Sequence, residues 1–253
     1  MTILQSWLGD DLFRFFLVFA RLGSALIFLP GVGEAFIPPR IRLALALWLS
    51  FAFVPVLGSQ LPGQPSSLDR LLWLLLHEIM IGIYFGLLAR LFLLGLQFSG
   101  MFMATQMGIA TSLVQDPISA QQSAALSNLL SLSALCVIMA TDISQLLFKG
   151  LLATYQIFPT HAPLPLGDMA EHFTKIVSQS LVLALQIAAP FFIYGILLFL
   201  GLGVLSRLMP QLQVFFIAIP LQVLGGLAML SFTLSAALML FAARYAEFLR
   251  AFL

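Results

Sequence analysis

Between Leu71 and Thr105 the chain reads LLWLLLHEIMIGIYFGLLARLFLLGLQFSGMFMAT, 35 residues with one carboxylate, Glu78, and one arginine, Arg90. The run exceeds strand length and shows no two-residue alternation, so helix is the expected state. Lipid enforces the same choice, because backbone polar groups there must be satisfied within the segment. About 20 helical residues cross a hydrocarbon core of about 30 Å. As one helix this stretch rises about 52 Å at about 1.5 Å per residue. It must therefore tilt strongly, break, or leave the membrane under a cover of protein.

Five further apolar stretches flank it: Leu12–Leu29, Ile41–Leu57, Ala124–Leu147, Ile176–Leu205 and Val214–Ala243. The segments between them hold most of the proline, including Pro30, Pro38, Pro39, Pro62, Pro65, Pro117, Pro159, Pro163, Pro165 and Pro210. Pro190 stands near the middle of the fifth stretch. Pro220 and the pair Gly225-Gly226 stand in the sixth, so breaks are expected in both. With six spans, both termini lie on one side, which carries Arg14, Arg70, Lys149, Lys175, Arg244 and Arg250. The other side carries Arg40, Arg42 and Arg207, a bias toward a cytoplasmic N-terminus.

Composition agrees with a lipid or protein environment. Hydrophobic residues make up 61% of the 253, and charged residues 8%. A soluble domain of this length carries roughly 60 charges, at about 25%. The chain cannot cover a water-exposed surface, which excludes a soluble enzyme and a disordered regulator. Net charge is +1, which leaves no basic footprint for nucleic acid. A single cysteine, Cys136, allows no disulfide framework and no cysteine metal site. Asp10 and Asp11 precede the first apolar stretch, and Arg14 and Arg21 interrupt it. It therefore reads as mature structure and not as a cleaved signal.

Polar residues inside the stretches need partners. Arg90 either lines a pathway or pairs with a neighbouring helix or subunit, since a cation at the bilayer centre costs about 2.5–3.5 kcal/mol on insertion scales. Arg14 and Arg21 are seven residues apart on one helix face, and Asp10 and Asp11 are placed to pair with Arg14. Asn128, Ser131, Asp142, Gln145 and Lys149 fall near one helical stripe that faces a pore or another chain. Small residues recur at four-residue spacing in Gly82/Gly86, Ala184/Ala188 and Ser123/Ser127/Ser131, which suits close helix packing.

Catalytic patterns are missing. His77-Glu78 opens like a zinc-protease motif, but Ile81 stands where the second histidine belongs. Asp168, Glu171 and His172 share a helix face, and the set reads better as a helix start with Asp168 as N-cap than as a metal site. No nucleophile elbow, phosphate loop or dinucleotide fingerprint occurs. No metal or cofactor is expected.

Three segments together resemble one family. The first is the proline-rich turn Pro30–Arg42, PGVGEAFIPPRIR. The second is QMGIATSLVQDP, Gln106–Pro117, and the third is SRLMPQLQVFFIAIPLQ, Ser206–Gln222. They are similar to segments of the FliR proteins of the flagellar type III export gate and their injectisome relatives (SctT). Order, spacing and total length fit, so the resemblance covers essentially the whole chain.

The resemblance implies an all-α integral membrane protein with long, proline-interrupted helical hairpins packed in a hetero-oligomeric export-gate complex. It implies a FliP-like part over residues 1–155, a linker at 156–175 and a FliQ-like hairpin at 176–253. Implied partners are FliP- and FliQ-like membrane subunits, FlhA- and FlhB-like export components, lipid, and unfolded flagellar proteins in transit. The implied location is the bacterial inner membrane, in the flagellar basal body. Carried over from the family's pore loop, Met107, Gly108, Ile109, Thr111, Leu113, Val114, Asp116 and Pro117 would plug the pore within a loop of about 106–123. Deformable apolar bulk there can exclude water and ions yet move aside. This chain has Thr111 and Val114 where some relatives carry phenylalanine, so its seal would lean more on partner methionines. Arg207, Pro210, Gln211 and Pro220 would set the turn of the C-terminal hairpin, and the stripe from Asn128 to Lys149 would face a subunit. The rival from another class is a small solute transporter built of two related halves. No clear inverted repeat is visible.

Overall fold

The computed structural model describes residues 2–58, 60–65, 67–108, 120–209 and 214–253. Among the described residues there are seven helices and no strand: α1 (Thr2–Phe28), α2 (Pro39–Leu57), α3 (Leu68–Gln106), α4 (Ala120–Ala140), α5 (Ile143–Ile157), α6 (Leu166–Leu208) and α7 (Val214–Arg250). The chain is an all-α membrane protein. Among the described residues four helices are long and apolar enough to cross a membrane: α2, α3, α6 and the Ala218–Arg250 part of α7. α4 and α5 make a fifth if they act as one broken span. Six spans were expected, so the orientation argued from them loses its basis.

The long helices are longer than expected. α3 has 39 residues and α6 has 43, and α6 runs on through Pro190. α7 likewise continues through Pro220, Gly225 and Gly226, where breaks were expected. The break falls elsewhere, at Thr141-Asp142, where α4 has ended and α5 has yet to begin. Both residues belong to the types whose side chains compete for backbone hydrogen bonds and favour helix starts. The expected linker 156–175 is helical from Leu166 onward. Asp168, expected as N-cap, is the third residue of α6, where its carboxylate still faces the positive end of the helix.

The chain forms two compact units. Unit 1 comprises residues 1–91, 141–176 and 246–253. Its core is built from Leu17, Leu22 and Leu26 of α1, Ile81 and Phe85 of α3, and Leu147 and Leu151 of α5. Phe252 closes it, with its ring edge-on to Phe85 at 5.3 Å. Glycine lets α1 and α3 touch: a Cβ on Gly82 would overlap the Arg21 carbonyl, and one on Gly86 would sit 2.8 Å from the Ala25 carbonyl. The Gly82/Gly86 spacing therefore has the packing role expected of it.

Within unit 1, the turn after α1 shows what the last residue of Pro30–Arg42 does. Gly31 takes φ +93°, and Pro39 opens α2 at the position where a missing N–H costs nothing. The Arg42 guanidinium then donates to the carbonyls of Val32 (3.1 Å), Glu34 (3.0 Å) and Ile37 (3.4 Å). One planar fork satisfies three loop acceptors, a geometry lysine cannot reproduce. Arg42→Lys is expected to cost about 1–3 kcal/mol, measured as a lower thermal midpoint in detergent. An unchanged midpoint would remove this role.

Unit 2 comprises residues 92–140 and 177–245. Buried Leu96 and Met103 of α3, Leu130 and Ala134 of α4, Ala184, Ala188 and Phe191 of α6, and Phe241 of α7 make its core. α3 and α4 approach closely at Gly100, where a Cβ would lie 2.7 Å from Ser127 Cα. Ser127 Oγ donates to the Gln97 carbonyl at 3.0 Å, and Ala184 and Ala188 are fully buried. Large apolar side chains still face outward, among them Phe199 and Leu200 on α6 and Phe232 and Met239 on α7. Surface of this kind and extent belongs against lipid or other protein.

Candidate functional site

Of the residues expected to plug a pore, Met107 and Gly108 are described. Ile109, Thr111, Leu113, Val114, Asp116 and Pro117 lie outside the described residues. The geometry that can be built is therefore the end of α3, inside unit 2. α3 stops there for a local reason. Gly108 takes φ +74°, the left-handed conformation that ends helices and that glycine adopts without a Cβ penalty. Its N–H donates to the Thr105 carbonyl at 3.1 Å, and the Met107 N–H donates to Met103 at 2.9 Å.

The side chains at this end are held by α6 and α7. Gln222 Nε2 donates to the Gln106 carbonyl at 2.8 Å, satisfying one of the acceptors that a helix end leaves free. Gly108 rests on the same amide: a Cβ there would meet Gln222 Cδ at 2.8 Å. The Gln222 carbonyl in turn accepts from Tyr194 Oη of α6 at 2.8 Å. Three glycines make the notches. Gly195 leaves space for the Gln106 side chain and Gly225 for the Tyr194 hydroxyl. Gly226 leaves space for Met107, whose Cβ would lie 2.9 Å from an added Cβ. Met107 is completely buried. The Gly225-Gly226 pair thus receives side chains and does not break α7.

A second polar centre lies in unit 1. Arg21 of α1 and Glu78 of α3 are both fully buried and form a two-pronged pair, Nε–Oε2 at 2.6 Å and Nη2–Oε1 at 2.9 Å. Arg21 also donates to Thr154 Oγ1 (3.3 Å) and the Phe158 carbonyl (3.1 Å), and its guanidinium lies 3.8 Å from the centre of the Tyr155 ring. Four neighbours surround it because a buried guanidinium is costly unless its donors are satisfied. Next to it, His77 Nε2 bonds the Ala162 carbonyl at 3.0 Å, which gives the histidine a structural place.

The remaining expected residues fall as follows. Asn128 and Ser131 lie on α4 in unit 2, whereas Gln145 and Lys149 lie on α5 in unit 1, with Asp142 just before it. The bend at Thr141-Asp142 therefore divides the expected stripe between two helices. Asn128, Asp142, Gln145 and Lys149 are exposed, and Gln145 Nε2 lies 3.4 Å from Asp142 Oδ1. Arg207 is in the last turn of α6 and Pro220 is inside α7, both exposed; Pro210 and Gln211 lie outside the described residues. Arg14 pairs with Asp11 at 3.5 Å. Among the described residues no group of three or more His, Cys, Asp or Glu side chains is placed to hold a metal ion.

Sequence reasoning missed Arg21–Glu78 and the contacts of Gln222 and Tyr194. The first had a legible signal, since Glu78 is the one carboxylate in the Leu71–Thr105 stretch and Arg21 is a cation well inside another. Two opposite charges, each isolated in an apolar helix, stabilise each other best in contact. Gln222 carried no such signal, because its partner is a backbone carbonyl.

Long apolar helices closely packed through glycine notches, one of them ending on a buried methionine, define an integral membrane protein built for helix packing. The model of the bacterial export proteins, family 1, matches residues 12–248, and the chain belongs to that family. It is similar to the flagellar biosynthetic protein FliR of Caulobacter vibrioides, with 35% identity over 236 residues, 93% of this chain and 94% of that one. It is also similar to the FliR proteins of Bacillus subtilis (28% identical, 87% of this chain and 86% of that one) and Escherichia coli (29%, 89% and 84%).

Proposed function

We propose that the chain is a non-enzymatic channel component of the flagellar type III export gate. It assembles with FliP- and FliQ-like subunits into the inner-membrane pore through which unfolded flagellar proteins pass, next to FlhA- and FlhB-like components. Residues 106–117 form the plug, and the C-terminal hairpin packs on neighbouring subunits. The observation that carries this reading is the end-to-end likeness to FliR proteins, which spans 93% of the chain in the Caulobacter vibrioides comparison. The flagellar names of these relatives favour the flagellar over the injectisome version.

Two features of the fold support it. The outward apolar side chains of α6 and α7 need a cover, and the end of α3 is tied down at the first residues of the segment assigned to the plug. In this reading the tie fixes where the plug segment starts.

Co-purification through a C-terminal tag tests the assignment. The chain alone is expected to be heterogeneous in detergent and to become homogeneous when FliP- and FliQ-like subunits are co-expressed. A stable, uniform monomer that gains no partners on co-expression would overturn the proposal.

A further inference from the structure

Among the described residues of unit 2, three polar side chains are buried: Ser99, Ser180 and Gln222. The two serines bond within their own helices, each to the carbonyl three residues earlier, Leu96 and Val177. Gln222 is different. Its amide leaves α7 and donates to the Gln106 carbonyl, 116 residues away in sequence. A side chain that only filled this space would be apolar, since a buried amide is costly wherever its hydrogen bonds are not met.

The contacts around it close a ring of three helices. Tyr194 Oη of α6 donates to the Gln222 carbonyl of α7 at 2.8 Å, and Gln222 Nε2 donates to the Gln106 carbonyl of α3 at 2.8 Å. The Gln106 side chain returns to α6 in the notch at Gly195, next to Tyr194. The two residues that follow Gln106 are fixed with the ring. Met107 fills the notch at Gly226, and Gly108 stands on the Gln222 amide with no room for a Cβ. Gly108 is therefore required twice, by its φ of +74° and by this contact. Apolar packing holds α3 against its neighbours but is non-directional. The hydrogen bonds are directional, and they fix where α3 ends and which way the chain leaves it.

We propose that Tyr194 and Gln222 are positioning residues of the seal, Tyr194 acting through Gln222 to hold Met107 and Gly108 at the start of the plug. This rests on the plug assigned above and names the side chains that hold it. Loss of one such hydrogen bond shifts a balance between held and released states about two- to tenfold. The ring thus favours the closed seal without locking it, as a pore that must open requires.

The test reads ion conductance at matched complex abundance, with the full chain co-expressed with FliP- and FliQ-like subunits. Wild type and the Ile109–Leu113 deletion are measured alongside. Gln222→Met keeps the volume and removes the donor, and conductance is expected to rise about two- to tenfold. Tyr194→Phe removes one hydroxyl and is expected to raise conductance by less. Because Tyr194 acts through Gln222, the double variant should conduct as Gln222→Met alone does, whereas independent effects would multiply. Wild-type conductance in either single variant overturns the proposal, even where the thermal midpoint falls, since the ring would then serve packing alone. Multiplied effects in the double variant overturn it too, as does loss of the complex in both single variants. Should Gln222→Met alone not assemble, the conductance of Tyr194→Phe decides. A deletion complex that does not leak overturns the plug assignment itself. That result is distinct from a leaking deletion beside tight Gln222→Met and Tyr194→Phe complexes.

Discussion

Glu78→Ala is expected to abolish accumulation of folded chain in the membrane. The substitution leaves the Arg21 guanidinium fully buried with its two best acceptors gone. Removing one partner of a buried pair costs about 3–5 kcal/mol, a large fraction of the roughly 5–15 kcal/mol that holds a domain folded. Thr154 and the Phe158 carbonyl remain, but neither carries a charge. The double variant Arg21→Leu/Glu78→Leu removes both charges and is expected to recover much of the loss, since apolar replacement of a whole buried pair is often neutral. Membrane yield and thermal midpoint in detergent give the comparison. If Glu78→Ala matches wild type, or if the double variant is worse than either single one, the pair does not hold α1 on α3.

Gly226→Leu is expected to displace the end of α3 and leave an assembled but leaking complex. A Cβ at Gly226 already overlaps Met107 Cγ and stands 2.9 Å from Met107 Cβ. An atom so near the backbone cannot swing away as a side-chain tip could. Overpacking costs about 1–3 kcal/mol, while replacing a mid-helix glycine returns about 1 kcal/mol in helix propensity. The net loss of stability is therefore small beside the displacement, which makes leakage the sharper readout. Ion conductance of the complex should rise above wild type at equal abundance. Gly203, with nothing within 4 Å of an added Cβ, supplies the control: Gly203→Leu should leave conductance unchanged. Equal conductance for the two variants would mean that Met107 does not govern the seal.

How much of this could be read beforehand differs from residue to residue. The helical, membrane-embedded class was legible because a 35-residue apolar stretch admits no other backbone solution in lipid. Gly82 and Gly86 were legible as packing sites because four-residue spacing puts both on the face that α1 occupies. The turn at Thr141-Asp142 was hidden, since an apolar run on either side of it reads the same whether the helix continues or stops there. Pro190 and Pro220 misled in the opposite direction. Proline removes one donor, yet surrounding packing can carry a helix through it, as α6 and α7 do. The stripe from Asn128 to Lys149 was drawn across the same hidden turn: its periodicity assumed one helix where there are two. At the end of α3, the supports of Gly108 were not foreseen, because Gln222 and Gly226 lie more than 100 residues away and act through a backbone carbonyl and an empty space.

The most direct test of the proposed seal is ion conductance through the complex with Ile109–Leu113 deleted, at matched complex abundance in cells that express all the gate subunits. With the tie at Gln106 and Gln222 intact, deletion leaves the body of unit 2 in place and removes only the segment assigned to the pore. Conductance and uptake of small solutes are expected to rise well above wild type, with motility retained at a reduced level because substrate can still pass. A fully assembled deletion complex that conducts no more than wild type would contradict the assignment of the plug.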